Sequence, residues 1–194
     1  MISLTATSAS ALTPVDVLVT SAWEGNPAAS THGCTIRGTD HRDRLKGTSG
    51  SDVICGFGGP DLVRGRGGAD VLYGGDGVDE LFGGRGPDVL FGGASGDYLN
   101  PGKGDDTALG GRGHDGIESS EGDDRLKGGI GRDGLFDTQG IDVLRGGRGS
   151  DWCLWTEDGI GDDTIIGGPG NDMYIADSDD TLISAETVEP FRCD

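Results

Sequence analysis

Aspartate recurs at every ninth position over most of this 194-residue chain. The series begins at Asp43, continues without a break to Asp151, slips by three residues and resumes at Asp163 and Asp172. Because aspartate makes up only 27 of the 194 residues, chance does not explain the series. A carboxylate is a hard oxygen ligand for metal ions, and it also accepts hydrogen bonds from turn amides. The spacing therefore predicts either a repeated metal site or a repeated metal-free turn.

Glycine and apolar residues occupy further fixed positions in each nine-residue unit. Glycine dominates five, four and two residues before the aspartate, as in residues 74–79, which read Gly-Gly-Asp-Gly-Val-Asp. Two residues after the aspartate the side chain is usually apolar, as at Leu72, Leu81 and Leu90. The unit is therefore G-G-x-G-x-D-x-U-x, in which U is a large apolar residue.

This unit resembles the calcium-binding nonapeptide of repeats-in-toxin (RTX) proteins, the hemolysin-type family, over about residues 38–182. The resemblance implies a right-handed parallel β-roll with calcium ions between stacked turns. Secreted actinobacterial members are similar in having a cysteine that opens the array and an early Cys-Gly pair, which here are Cys34 and Cys55-Gly56.

The unit divides physically into a short strand and a turn. The x-U-x residues form a strand with U on one face and both x residues on the other. The G-G-x-G-x-D residues form the turn, because glycine permits positive φ and close backbone approach. Two units make one coil of 18 residues, so we expect an all-β parallel β-roll, or β-helix, of about eight coils over residues 34–184.

Stacked coils place aspartates 18 residues apart above one another on two edges. Carboxylates roughly 5 Å apart repel unless a cation lies between them, and calcium accepts carboxylate and carbonyl oxygens together. We therefore expect several Ca²⁺ ions and folding that is coupled to their binding. The expected carboxylate ligands are Asp52, Asp61, Asp70, Asp79, Asp88, Asp106, Asp115, Asp133, Asp151, Asp163 and Asp172. The expected glycine ligands are Gly75, Gly77, Gly84, Gly86, Gly111, Gly113, Gly129, Gly131, Gly147, Gly149, Gly168 and Gly170.

Several units depart from the pattern and are weaker candidates. Ser95 replaces the third glycine before Asp97, and the turns that end at Asp124 and Asp142 lack the first two glycines. The second glycine is replaced at two positions, Phe57 and Arg66. After Asp151, residues 157–161 are expected to bulge out at one turn, so that Asp172 stacks on Asp151.

Composition limits the possible functions. The chain has 40 glycines and only 33% hydrophobic residues, which argues against a conventional two-layer core, because glycine has no side chain to bury. A net charge of −19 disfavours a nucleic-acid partner, since phosphates repel it. No stretch is long enough to span a membrane. Transition metals fit poorly, because the chain has three histidines and its cysteines lack ligand spacing.

Four cysteines flank the array and allow three pairings. We favour Cys34 with Cys55 and Cys153 with Cys193, each fastening one end of the coil stack, which implies an extracellular compartment. The alternative is that Cys153, two residues after Asp151 in the inward column, is a small buried apolar residue.

The regions outside the array are expected to be accessory. Residues 1–33 lack the period and are interpreted as a cap or a remnant leader, and residues 185–194 as a tail tied back by a disulfide. One outward face should carry a contiguous apolar patch, covered either by the amino-terminal segment or by a second copy or partner. The patch residues are Val71, Tyr73, Val89, Phe91 and Leu109.

Catalytic motifs do not account for the pattern. The chain has no H-E-x-x-H zinc helix, no G-x-S-x-G elbow and no Walker loop. We therefore expect a secreted, calcium-binding protein that is not an enzyme. The alternatives are a calcium-binding module of a larger secreted enzyme or adhesin, a surface-binding or partner-binding solenoid, and a polysaccharide-acting β-helix.

Overall fold

The computed structural model describes residues 33–156 and 162–183, which form seventeen strands and no helix. The strands alternate between two sheets along the chain. The first sheet contains β1 (Ile36–Arg37), β3 (Val53–Gly58), β5 (Val71–Asp76), β7 (Val89–Ala94), β9 (Thr107–Arg112), β11 (Arg125–Ile130), β13 (Val143–Arg148), β15 (Thr164–Ile166) and β17 (Thr181–Ile183). The second sheet contains β2 (Arg44–Lys46), β4 (Leu62–Arg64), β6 (Glu80–Arg85), β8 (Tyr98–Lys103), β10 (Gly116–Glu118), β12 (Gly134–Phe136), β14 (Cys153–Trp155) and β16 (Tyr174–Ile175).

Both sheets are parallel, and each strand pairs with the strand of the next coil. Leu72 of β5 lies opposite Leu90 of β7, and Leu81 of β6 lies opposite Leu99 of β8, which are steps of 18 residues. This register brings the same position of every nine-residue unit into one column. The expected all-β parallel solenoid of about eight coils is therefore confirmed.

The core is a single column of apolar side chains between the two sheets. Each strand contributes one inward residue, because side chains alternate between the two faces of a strand. The buried core residues are Ile54, Val63, Leu72, Leu81, Leu90, Leu99, Ala108, Ile117, Leu126, Leu135, Leu144, Leu154 and Ile165. Burial of one such side chain contributes about 1.5–3 kcal/mol, so each coil depends on its neighbours for stability.

The inward position of β14 differs from the sequence prediction. Leu154, rather than Cys153, lies opposite Leu135 and joins the core column. One extra residue separates Asp151 from Leu154. The ring of Trp152 lies 2.5 Å from the position that a Cβ on Gly134 would occupy, so the ring fits there only because residue 134 is glycine. The longer leucine side chain buries more apolar surface than cysteine in the core, which accounts for the shift.

The three-residue slip is therefore divided between β14 and the sequence that follows it. One extra residue lies before Leu154, and the stretch of sequence from Thr156 to Asp163 has two residues more than the equivalent stretch of a regular coil. The expected bulge at residues 157–161 lies outside the described residues. The expected stacking beyond it is confirmed, because the Asp151 amide donates to Asp172 Oδ1 at 3.0 Å.

Some sequence predictions concern residues at the two ends. Residues 1–32 and 184–194, which include nearly all of the predicted cap and the tail, lie outside the described ranges. Within the described residues, 33–156 and 162–183, no helix has the length and apolar character needed to cross a membrane.

Candidate metal centre

The repeated aspartates lie where a turn ends and a strand begins, and their side chains are buried. The eleven predicted carboxylate ligands are each exposed by 7% or less. Asp97, Asp124 and Asp142, which the sequence reasoning set aside because of their imperfect turns, are equally buried. The period of nine alone would have included these three residues.

The aspartates form two hydrogen-bonded columns, here called the aspartate ladders. In each ladder, the backbone amide of one aspartate donates to Oδ1 of the aspartate one coil later in the chain. Asp97 donates to Asp115 at 2.8 Å, and Asp115 donates to Asp133 at 2.9 Å. One ladder contains Asp43, Asp61, Asp79, Asp97, Asp115, Asp133, Asp151 and Asp172. The other contains Asp52, Asp70, Asp88, Asp106, Asp124, Asp142, Asp163 and Asp180.

The second carboxylate oxygen of most ladder aspartates is buried without a hydrogen-bond donor from the described residues. An unsatisfied buried polar atom costs about 1–3 kcal/mol, and a charged one costs more. The ladder residues with such an Oδ2 are Asp61, Asp70, Asp79, Asp88, Asp97, Asp106, Asp115, Asp133 and Asp151. A row of buried anionic oxygens without donors fits a bound cation.

The turn glycines supply carbonyl oxygens to the same edges. All twelve predicted glycine ligands have positive φ, between 102° and 157°, which glycine adopts without steric cost. A Cβ added to Gly111 or Gly129 would lie under 3.0 Å from the carbonyl oxygen of the glycine one coil earlier. The turns therefore stack with their carbonyls closely packed, and a side chain at these positions would disturb them.

The first glycine of each turn is a feature that the sequence reasoning did not assign to the site. A Cβ added to Gly74 would lie under 3.0 Å from both Asp79 Oδ2 and the carbonyl oxygen of Gly92. Carboxylate and carbonyl oxygens from two coils thus converge on the space beside this glycine. Hard oxygens of these two kinds are the donor set of calcium.

Burial raises the pKa of most ladder aspartates. It raises the pKa of Asp79 to about 6, of Asp88 and Asp115 to about 7, and of Asp97 and Asp106 to about 8. Neighbouring ladder carboxylates add to the effect through like-charge repulsion. Without a cation these groups resist ionisation near neutral pH, so a divalent ion that neutralises them should favour the stacked structure.

Three non-glycine residues occupy glycine positions in the turns. Phe57, Arg66 and Ser95 have φ values of 77°, 92° and 85°, in the region that side chains disfavour. The array imposes the turn conformation on these residues. These three residues therefore keep the turn geometry of glycine at the expense of backbone strain.

The first two turns satisfy their carboxylates differently. Thr48 donates its amide to Asp52 Oδ2 at 2.7 Å and its hydroxyl at 2.9 Å, and these bonds lower the pKa of Asp52. Thr39 makes the equivalent bonds to Asp43 at 2.6 and 2.8 Å. Threonine at the second glycine position was the available sequence signal, so the metal-free alternative describes these turns better than the inner ones.

One predicted disulfide is confirmed. Cys34 and Cys55 are bonded with their Cα atoms 6.0 Å apart, which fastens the start of the array to β3. Cys153 is also disulfide-bonded, so it is not a free core thiol. Its predicted partner, Cys193, lies outside the described residues.

The predicted apolar patch is contiguous. Val89, Phe91 and Leu109 form a buried cluster on the outer face of the first sheet, with Val71 and Tyr73 packed against it. The Tyr73 and Phe91 rings stack with centroids 4.9 Å apart. The patch is largely shielded from solvent, since the three central residues are exposed by no more than 9%.

A family model described as an RTX calcium-binding nonapeptide repeat matches most of the chain. The matched stretches are residues 37–72, 56–90, 73–108, 102–135, 136–152 and 157–183. No curated protein matches the chain.

Proposed function

The chain belongs to the family of RTX calcium-binding nonapeptide repeat proteins, and on that premise we propose that calcium binding to the stacked turns drives its folding. The ligands are the aspartates and turn glycines predicted from the sequence, with the inner turns binding before the threonine-containing ones. The protein is secreted, meets calcium outside the cell and has no catalytic activity of its own.

The observation that supports this proposal is the row of buried Oδ2 atoms without donors, beside carbonyls of the next coil. Each coil buries only about two inward side chains, which is too little apolar surface to hold an isolated coil. Without calcium, the buried ladder carboxylates therefore make a large unfavourable contribution to the free energy of folding. With calcium, the same carboxylates act as its ligands. Folding and binding should occur together.

Secretion is supported by the redox chemistry of the chain. The Cys34–Cys55 bond and the bonded Cys153 suit an oxidising compartment. The absence of catalysis is proposed because the repeated carboxylates face the interior of the turns, where a substrate has no access. A module of a larger secreted enzyme or adhesin is the alternative, and it would use the same turns.

The outer apolar patch is proposed to be covered by the amino-terminal segment. The Cys34–Cys55 bond holds the end of this segment at β3, which lies next to β5 and the first patch residues, Val71 and Tyr73. Residues 1–33 include Val17, Val19 and Trp23, whose apolar side chains suit such a cover. Deletion of residues 1–33 should expose the patch to a hydrophobic dye, and an unchanged dye signal with an unchanged monomer would count against both the cover and self-association.

Circular dichroism during a calcium titration, beside a magnesium titration, tests the central proposal. Calcium should convert a largely unfolded chain into a β-structured one in a cooperative transition, and magnesium should not, because it demands near-octahedral geometry. A chain that keeps the same spectrum and thermal midpoint after chelation would contradict the proposal.

A further inference from the structure

Asp137 is an acidic side chain at a position where the repeat calls for glycine. It stands five residues before Asp142, in the column occupied by Gly65 and Gly83 earlier on the same edge. In those regular turns the missing Cβ leaves space beside the ladder carboxylate. At this turn, that space receives a second carboxylate.

Three carboxylates converge there. Oxygen atoms of Asp124, Asp137 and Asp142 all lie within 4.8 Å of one another. Asp124 and Asp142 belong to consecutive coils of one ladder, joined by the Asp124 amide bond to Asp142 Oδ1 at 2.7 Å. Asp137 comes from a turn position outside the ladder, so the cluster has one carboxylate more than the regular sites.

Asp137 is also buried, and only one of its two carboxylate oxygens accepts hydrogen bonds. The side chain is 2% exposed, and its Oδ1 accepts the amide hydrogens of Thr138 and Gln139 at 2.6 and 3.4 Å. Its Oδ2 has no hydrogen-bond donor among the described residues. Burial first, and then the charges of Asp142 and Asp124, raise the pKa of Asp137 to about 9.

The neighbouring turn provides an internal comparison. Ser119 occupies the same turn position one coil earlier, and its hydroxyl donates to Asp124 Oδ2. That substitution adds a donor without adding a charge. Asp137 adds a further carboxyl group at the equivalent position, and three buried carboxyl groups at this separation are held together either by a cation or by shared protons.

We propose that Asp124, Asp137 and Asp142 form a distinct calcium site, built from three side-chain carboxylates, that binds more tightly than the regular turns and fills first. The inference rests on the proposed function and adds a ranking of sites to it. Calcium affinity rises with the number of charged ligands, and this site has three carboxylates where consecutive coils elsewhere bring two together. It lies where the turns lose their first two glycines, so carboxylates replace a backbone arrangement that glycine supplies elsewhere.

Asp137→Ser is the decisive variant, because serine reproduces the arrangement at Ser119 and should leave the fold intact. Calcium binding to the full-length chain is measured by equilibrium dialysis at low free calcium and by calorimetry. Asp123→Asn is the matched control, since Asp123 is exposed in the adjacent turn and its Oδ1 accepts the Ile141 amide at 3.1 Å. Asparagine keeps that acceptor.

We expect the unmodified chain and Asp123→Asn to bind one calcium ion at least tenfold more tightly than the rest. Asp137→Ser should lose that ion and keep the weaker ones. Equal binding curves for all three proteins, or tighter binding by Asp137→Ser, would mean that the carboxylates share protons instead of an ion and would overturn the inference. Failure of the unmodified chain to bind any calcium would overturn the proposed function itself, which distinguishes the two.

Discussion

Replacement of Asp115 by asparagine separates the charge of a turn carboxylate from its role as a hydrogen-bond acceptor. Asp115 Oδ1 accepts the Asp97 amide at 2.8 Å, and its Oδ2 is buried without a donor from the described residues. Asparagine keeps the first oxygen and removes the charge. Calcium-free and calcium-bound protein should therefore respond in opposite directions.

The magnitude follows from the raised pKa. Burial, supplemented by the charge of Asp133, raises the pKa of Asp115 from 3.8 to about 7. A rise of this size corresponds to about 4 kcal/mol against the ionised form, or about 2 kcal/mol once residual solvent screening is allowed for. The side-chain NH₂ group of the new asparagine has no acceptor at the position of Oδ2, and this loss reduces the gain in stability by about 1 kcal/mol. Without calcium at pH 8, Asp115→Asn should stabilise the fold by about 1 kcal/mol.

Calcium reverses the sign because the variant lacks a charged ligand. The calcium concentration at the folding midpoint, followed by circular dichroism, should rise about tenfold, or about 1.4 kcal/mol. Sucrose in all samples would give the calcium-free protein a measurable thermal midpoint. Asp123→Asn is the control, because Asp123 is exposed and asparagine keeps the oxygen that accepts the Ile141 amide, and it should change neither measurement. The reasoning fails if Asp115→Asn and Asp123→Asn have the same calcium midpoint, or if Asp115→Asn destabilises the calcium-free protein.

Three further changes test other features. Ser95→Gly removes a side chain from a φ of 85° and should raise the free energy of unfolding in calcium by about 1 kcal/mol, whereas Ala69→Gly, at a position without positive φ, should lower it in the same urea titration. In calcium-free protein the raised pKa values, about 6 at Asp79 and about 8 at Asp97, mean that protonated carboxylates favour the folded state. That contribution is complete below about pH 4 and is lost as the pH rises through 6–8, so folded signal that increases from pH 5 to pH 8 after chelation would contradict the burial of these groups. Cys34→Ser opens a disulfide spanning 21 residues and should lower the free energy of unfolding in calcium by about 3 kcal/mol; a urea midpoint unchanged from the parent would show that the bond does not restrain the unfolded chain.

The solenoid could be predicted because one short pattern fixes several levels of structure at once. The period sets the coil length, the apolar column sets the inward face, and the glycine columns set the turns. The prediction was wrong at Cys153, where counting from the preceding aspartate cannot detect one extra residue in a strand. The space over Gly134 that admits Trp152 exists only after the coils have stacked.

Individual turns were less predictable than the array. The pattern marks Asp52 as equivalent to Asp79. Thr48 nevertheless donates two hydrogen bonds to Asp52 Oδ2, whereas Asp79 Oδ2 has no donor among the described residues. Whether a carboxylate is satisfied depends on a single neighbouring side chain and its rotamer. The same limit hid Asp137, which in the sequence is merely a missing glycine.

The direction of the hydrogen bonds in the aspartate ladders makes the two ends of the stack unequal. Within a ladder, each aspartate amide donates to the carboxylate of the coil that follows it, never to the one before, whereas strand amides such as that of Val89 donate to the preceding coil. Removal of coils from the carboxyl-terminal side therefore leaves the last ladder amide without its carboxylate acceptor, whereas removal from the opposite side leaves a ladder carboxylate without its amide donor. A chain that leaves the ribosome amino-terminus first must therefore wait, coil by coil, for the next eighteen residues before the preceding layer is complete.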